Sequence, residues 1–114
     1  MIKPIPLLEV VSRYHFVPQA VIREGVVELA KRFGSKVWEG EDDLDTYEGA
    51  AAVFDGLPFT VMHYRGHPEN TSTIYLPFEI KDVEVIAKII SSIAAQLKLS
   101  PEVIVWQRKD NPEL

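Results

Sequence analysis

Two histidines, an arginine and a glutamate fall within seven positions of this 114-residue chain, as His63, Arg65, His67 and Glu69. An imidazole that titrates near neutrality, a guanidinium fork for an anion and a nearby carboxylate are together what a small acid-base or small-molecule site needs. The same residue types are also what a solvated strand end and turn select. His63 and His67 are four apart, a spacing that on a helix points both rings at one metal ion. Gly66 and Pro68 instead place them at a strand end running into a loop. Four extended residues span about 13 Å, too far for two bonds of about 2 Å to one ion. No metal or other cofactor is expected.

Other chemistries are set aside by composition and spacing. The chain has no cysteine, which removes disulfides, thiolate nucleophiles and thiolate metal sites. A phosphate cradle needs closely spaced glycines, yet Gly25, Gly34, Gly40, Gly49, Gly56 and Gly66 are nowhere nearer than six residues. No serine has a glycine two residues away on each side, so the nucleophile elbow is absent too. Nothing in these patterns compels an enzyme, and a non-enzymatic role is the leading expectation.

Charge is the second source of function. Glu39, Glu41, Asp42, Asp43, Asp45 and Glu48 more than account for the net charge of -5, leaving the rest of the chain near +1. Phosphate binding requires concentrated Lys and Arg, so nucleic acid is not an expected ligand. The acidic run lacks the alternating ligands, central Gly and terminal Glu of a calcium loop. It reads either as a solvated connection or as an electrostatic guide for a basic protein partner, through Glu41, Asp42, Asp43 and Asp45.

The elements that position these residues follow from periodicity and turn chemistry. Pro18 to Phe33 predicts a helix, with Ile22, Val26, Leu29, Ala30 and Phe33 on one face, Pro18 in the first turn and Gly34 as the C-terminal cap. Residues 50–54 and 59–65 flank Asp55 and Gly56, the pair favoured in a type I′ hairpin turn, and 72–76 resumes strand composition. These three runs predict a meander. Asp82 caps a second helix carrying Val83, Ile86, Ile89, Ile90, Ile93, Ala94 and Leu97, which Lys98 closes. Val103 to Trp106 predicts a last strand after Pro101. Residues 2–14 are compatible with an edge strand or with a short helix beginning near Pro6.

Together these predict one α+β domain over 1–114: a two-layer sandwich whose mostly antiparallel sheet, a three-stranded meander plus a C-terminal strand, carries two main helices on one face. The hydrophobic fraction of 46% and charged fraction of 25% suit such a globular chain. Two prolines and Glu9 interrupt the N-terminal apolar residues before a signal core forms, and no uncharged apolar run reaches the ~18 residues of a membrane span. A cytoplasmic protein without a membrane partner is expected.

Strand alternation supplies the last candidate. If Phe59, Val61, Ile74 and Leu76 face the helices, then Thr60, Met62, Tyr64, Thr73 and Tyr75 face the other way, and Trp106 joins them in one register. Met62, Tyr64 and Tyr75 are of types enriched at protein interfaces, though tyrosines also serve as cross-strand pairs. The leading expectation is an interaction or binding module that docks a protein partner or a second copy of itself on this face. An immunity or antitoxin-like inhibitor of a basic protein is one version. The alternative is a small enzyme or small-molecule binder at His63, Arg65, His67 and Glu69.

Overall fold

The computed structural model describes residues 2–41, 43 and 45–109. Seven strands form one antiparallel sheet: Ile2–Ile5 (β1), Phe16–Ile22 (β2), Trp38–Glu41 (β3), Thr46–Phe54 (β4), Leu57–Tyr64 (β5), Ser72–Pro77 (β6) and Ile104–Gln107 (β7). Three α-helices accompany them: Leu7–Val11 (α1), Val26–Arg32 (α2) and Val83–Gln96 (α3). The strand order is β1-β4-β5-β6-β2-β7, and β3 lies beside β1 because the two share one edge of β4. β1 pairs with Ala51 to Phe54, β3 with Thr46 to Gly49.

The expected α+β sandwich holds, and its meander is β4, β5 and β6. Asp55 and Gly56 have φ of 49° and 83°, the two left-handed residues a type I′ turn requires. Asp82 caps α3 through Oδ1, which accepts from the Glu84 N–H at 2.8 Å and the Val85 N–H at 3.4 Å. Ile86, Ile90 and Ile93 of α3 then enter the core beside Val26 and Leu29 of α2 and Phe33 just after it, against Phe59, Val61, Ile74 and Leu76 of the sheet. Each fully buried aliphatic side chain contributes roughly 1.5–3 kcal/mol.

The expected helix over 18–33 is corrected. Its first half is strand β2, set between β6 and β7, and only Val26–Arg32 is helical. Pro18 is tolerated inside the sheet because the ladder with β6 shifts between Pro18 and Ala20, a bulge where a missing N–H costs no regular bond. Gly25 is the helix N-cap rather than an interior residue. Ile22 does share the core with Val26, Leu29 and Phe33, so the helical spacing was real while the backbone was not continuous. Gly34 closes α2 at φ 73°, with Ser35 N–H donating to the Ala30 carbonyl at 2.9 Å.

Residues 2–14 hold both expected alternatives, β1 and then α1. α1 lies on the sheet face opposite α2 and α3, where Leu7 and Val10 pack on Ala51 with Ile5, Phe16, Trp38 and Tyr47 around them. Gly49 permits this approach, since a Cβ there would stand 3.2 Å from Leu7 Cδ2 and 3.1 Å from Met62 Cγ. No helix among the described residues is long and apolar enough to cross a membrane.

Candidate functional site

The acidic run is a hairpin, not a plain connection. β3 and β4 pair so that Glu39 lies opposite Glu48, and β4 and β5 pair so that Glu48 lies opposite His63. One cross-strand row therefore reads Glu39, Glu48, His63, with its members from three strands. Gly40 lies opposite Tyr47, whose ring crosses it so closely that a Cβ would meet the hydroxyl oxygen at 2.6 Å. Tyr47 in turn packs edge-on against Tyr64 at 5.7 Å between centroids.

Asp45 ties the start of β4 to the turn after β5. Its Oδ1 accepts the Thr46 N–H at 2.7 Å and its Oδ2 accepts the Gly66 N–H at 3.0 Å. The Arg65 N–H donates to the Thr46 carbonyl at 3.0 Å, and the His67 N–H closes the turn on the Tyr64 carbonyl at 3.0 Å. Further along, the Pro68 carbonyl accepts from His63 Nε2 at 3.1 Å and from the Thr71 hydroxyl at 2.6 Å. Asn70 completes the reversal at φ 58°, a conformation asparagine tolerates.

These ties shape a groove of about 470 Å³ lined by Glu39, Gly40, Thr46, Tyr47, Glu48, His63, Arg65 and Glu69. A second cleft of about 330 Å³ lies on the α2 side and shares Glu48, His63 and Glu69 with the first. None of Glu39, Glu48 and Glu69 has an ion-pair partner among the described residues, unlike Glu28, which pairs with Lys31, and Glu24, which pairs with Arg32. Three carboxylates against one guanidinium give the groove a formal charge of -2.

Of the residues proposed from sequence for acid-base chemistry, the structure brings His63, Arg65 and Glu69 to one groove. His67 stands off it, its ring 6.5 Å from that of His63 and 5.7 Å from that of Tyr64. No group of three or more His, Asp or Glu among the described residues is placed to hold a metal ion. Of the acidic residues, Glu41 and Asp43 are exposed, Asp45 is engaged in the loop ties, and Asp42 lies outside the described residues. Glu39 and Glu48 were passed over as site residues; the signal was the pair of short alternating runs either side of residues 42–45, which marks a hairpin.

The other sheet face alternates as expected, with Phe59, Val61, Ile74 and Leu76 fully buried beneath the helices. It is nevertheless largely closed. Met62 is 8% exposed beneath the α1 layer, Thr60 and Thr73 are buried, and Tyr64 and Tyr75 are half-buried. Met62 accordingly has little surface to give a partner. Trp106 does share a row with Val21 on this face and remains 44% exposed, its ring 5.9 Å from the Arg108 guanidinium carbon. Comparison of the chain with protein families, with curated proteins and with solved structures finds no match.

Proposed function

We propose that the chain is a non-enzymatic binding module that takes a positively charged protein segment into the groove between β3, β4, β5 and the β5–β6 turn. The observation that carries this reading is the Glu39, Glu48 and Glu69 set, three carboxylates from separate elements that line one groove with Arg65 as its one guanidinium. Like charges directly opposite in a sheet are destabilising. A cationic partner relieves that repulsion, and exposed Glu41 and Asp43 extend the field that steers it. An inhibitor of a basic protein is one form such a module takes.

The groove argues less well for a small-molecule enzyme at His63, Arg65 and Glu69. Small-molecule sites are lined mainly by apolar and aromatic side chains, whereas four of the eight lining residues here, Glu39, Glu48, Arg65 and Glu69, are charged.

Fluorescence anisotropy with a labelled hepta-arginine peptide tests the reading. Binding is expected to weaken steadily with added salt, and Glu48→Gln with Glu69→Gln together are expected to weaken it about tenfold at low salt. Peptide affinity that ignores both salt and the double substitution would exclude the groove as the binding surface.

A further inference from the structure

The edges at the two ends of this sheet are built differently. β1, β3 and β7 have four residues each, and each has one side without a strand partner among the described residues. An open edge offers its backbone N–H and C=O groups to any other strand, and folded proteins blunt such edges with charges and proline. β1 carries Lys3 and Pro4, and β3 carries Glu39 and Glu41. β7 reads Ile104, Val105, Trp106, Gln107 and has neither device. Its edge is therefore open in composition as well as in position.

Both faces of this strand and its backbone meet the opening. Trp106 lies across from Val21 on the α1 face, while Val105, next to it in the chain, turns to the other face, and both side chains are exposed. The Arg108 N–H donates to the Gln19 carbonyl at 2.9 Å on the inner side. Alternation along the strand then turns the N–H and C=O of Gln107 outward, away from β2. A cleft of about 830 Å³ runs along the same stretch, lined by Pro101 and by Ile104 to Lys109.

We infer that a second copy of the chain pairs antiparallel with β7, about a twofold axis at Val105 or Trp106, and continues the sheet across a homodimer. Charge selects this occupant. Exposed Glu102 precedes the strand, and Arg108 and exposed Lys109 follow it, so β7 is acidic at one end and basic at the other. A twofold axis reverses the second strand and sets Glu102 of each copy beside the basic end of the other, whereas a parallel copy sets like against like. Val105 and Trp106 are covered on the two faces of the joined edge. The groove lies on β3, β4 and β5, toward the other end of the strand order, so this interface is independent of the cation reading and leaves both grooves open.

Sedimentation equilibrium of the full chain over about 5–500 μM is expected to show monomers giving way to dimers. Val105→Lys, which adds a charge to the edge at a half-exposed side chain, is expected to weaken dimerisation at least about tenfold with an unchanged circular dichroism spectrum. Leu8→Lys, at an exposed leucine on α1, should leave dimerisation unchanged. Glu102→Lys and Lys109→Glu should each weaken it about fivefold, and the two together should restore it to within about twofold. Hydrogen exchange needs no variant, because the Gln107 amide should slow between the lowest and the highest concentration. A chain that stays monomeric throughout, a dimer indifferent to Val105→Lys, or a Gln107 amide equally fast at both concentrations overturns pairing at β7. A double charge variant no better than the single ones overturns the antiparallel arrangement.

Discussion

Replacing Leu7 by alanine tests whether α1 truly roofs the second face of the sheet. Leu7 is 1% exposed and sits over Gly49 and Ala51, in the cluster that also contains Val10 and Trp38. Leucine to alanine in a packed interior costs about 2–5 kcal/mol, the spread reflecting how far the surroundings close the gap. α1 is five residues long and attached to the edge strand β1, so it can settle inward, which places the expected loss near the lower end, at about 2–3 kcal/mol. At about 2.1 cal/mol/K of unfolding entropy per residue, that loss lowers the melting temperature by roughly 10 °C. Urea unfolding should follow Trp38 fluorescence in a Trp106→Phe background, because Trp38 lies in the cluster and Trp106 lies on the far edge of the sheet. Leu8→Ala is the control: Leu8 is 63% exposed, so its loss should stay within about 0.5 kcal/mol. A Leu7→Ala chain as stable as the Leu8→Ala chain would mean that α1 does not cover the sheet and that Met62 and Ala51 are open to partners.

Two further substitutions probe the groove and the main helix. Gly40→Ala should push the Tyr47 ring off its place, since the new methyl would stand 2.6 Å from the hydroxyl oxygen. The cost is about 1 kcal/mol, with a changed near-ultraviolet tyrosine signal as the Tyr47–Tyr64 contact is lost; an unchanged signal would refute it. Asp82→Ala removes the acceptor for the Glu84 and Val85 N–H groups and should cost about 1 kcal/mol in urea unfolding, whereas Asp82→Ser should restore most of it.

Local chemistry made some elements legible. Asp82 followed by Ile86, Ile90 and Ile93 specifies α3 from both its cap and its period, and Asp55 with Gly56 specifies one hairpin by the backbone conformation that those residues tolerate. Alternation in β5 and β6 likewise sorted core residues from the rest. β2 was hidden because Ala20 and Ile22 alternate over too short a span, while Ile22 keeps helical spacing with Val26, Leu29 and Phe33 across the Gly25 boundary. The groove was half legible. His63, Arg65 and Glu69 are near in sequence, but Glu39 and Glu48 join them through pairing of β3 with β4, and register between strands is a tertiary property. The cover over Met62 was not readable at all, because a five-residue helix leaves too short a pattern to distinguish from a strand.

The position of the groove follows from where helical cover ends on the sheet. Ala50 and Val61 are cross-strand partners, both fully buried beneath the helices. Two residues further along the same face, β4 presents Glu48 and β5 presents His63, again as partners. One step of the pleat thus carries that face from aliphatic core to ionisable groove, with no loop between them. Two of the three carboxylates stand on strands, which fixes them more rigidly than a loop does. Glu69 alone comes from the turn, and that turn is held by the Pro68 carbonyl, which accepts from both His63 and Thr71. A substitution at His63 that abolishes the Nε2 donor therefore loosens one carboxylate while leaving Glu39 and Glu48 in place. Glutamine, which keeps a side-chain donor for the Pro68 carbonyl, should preserve that hold on the turn, whereas alanine should lose it.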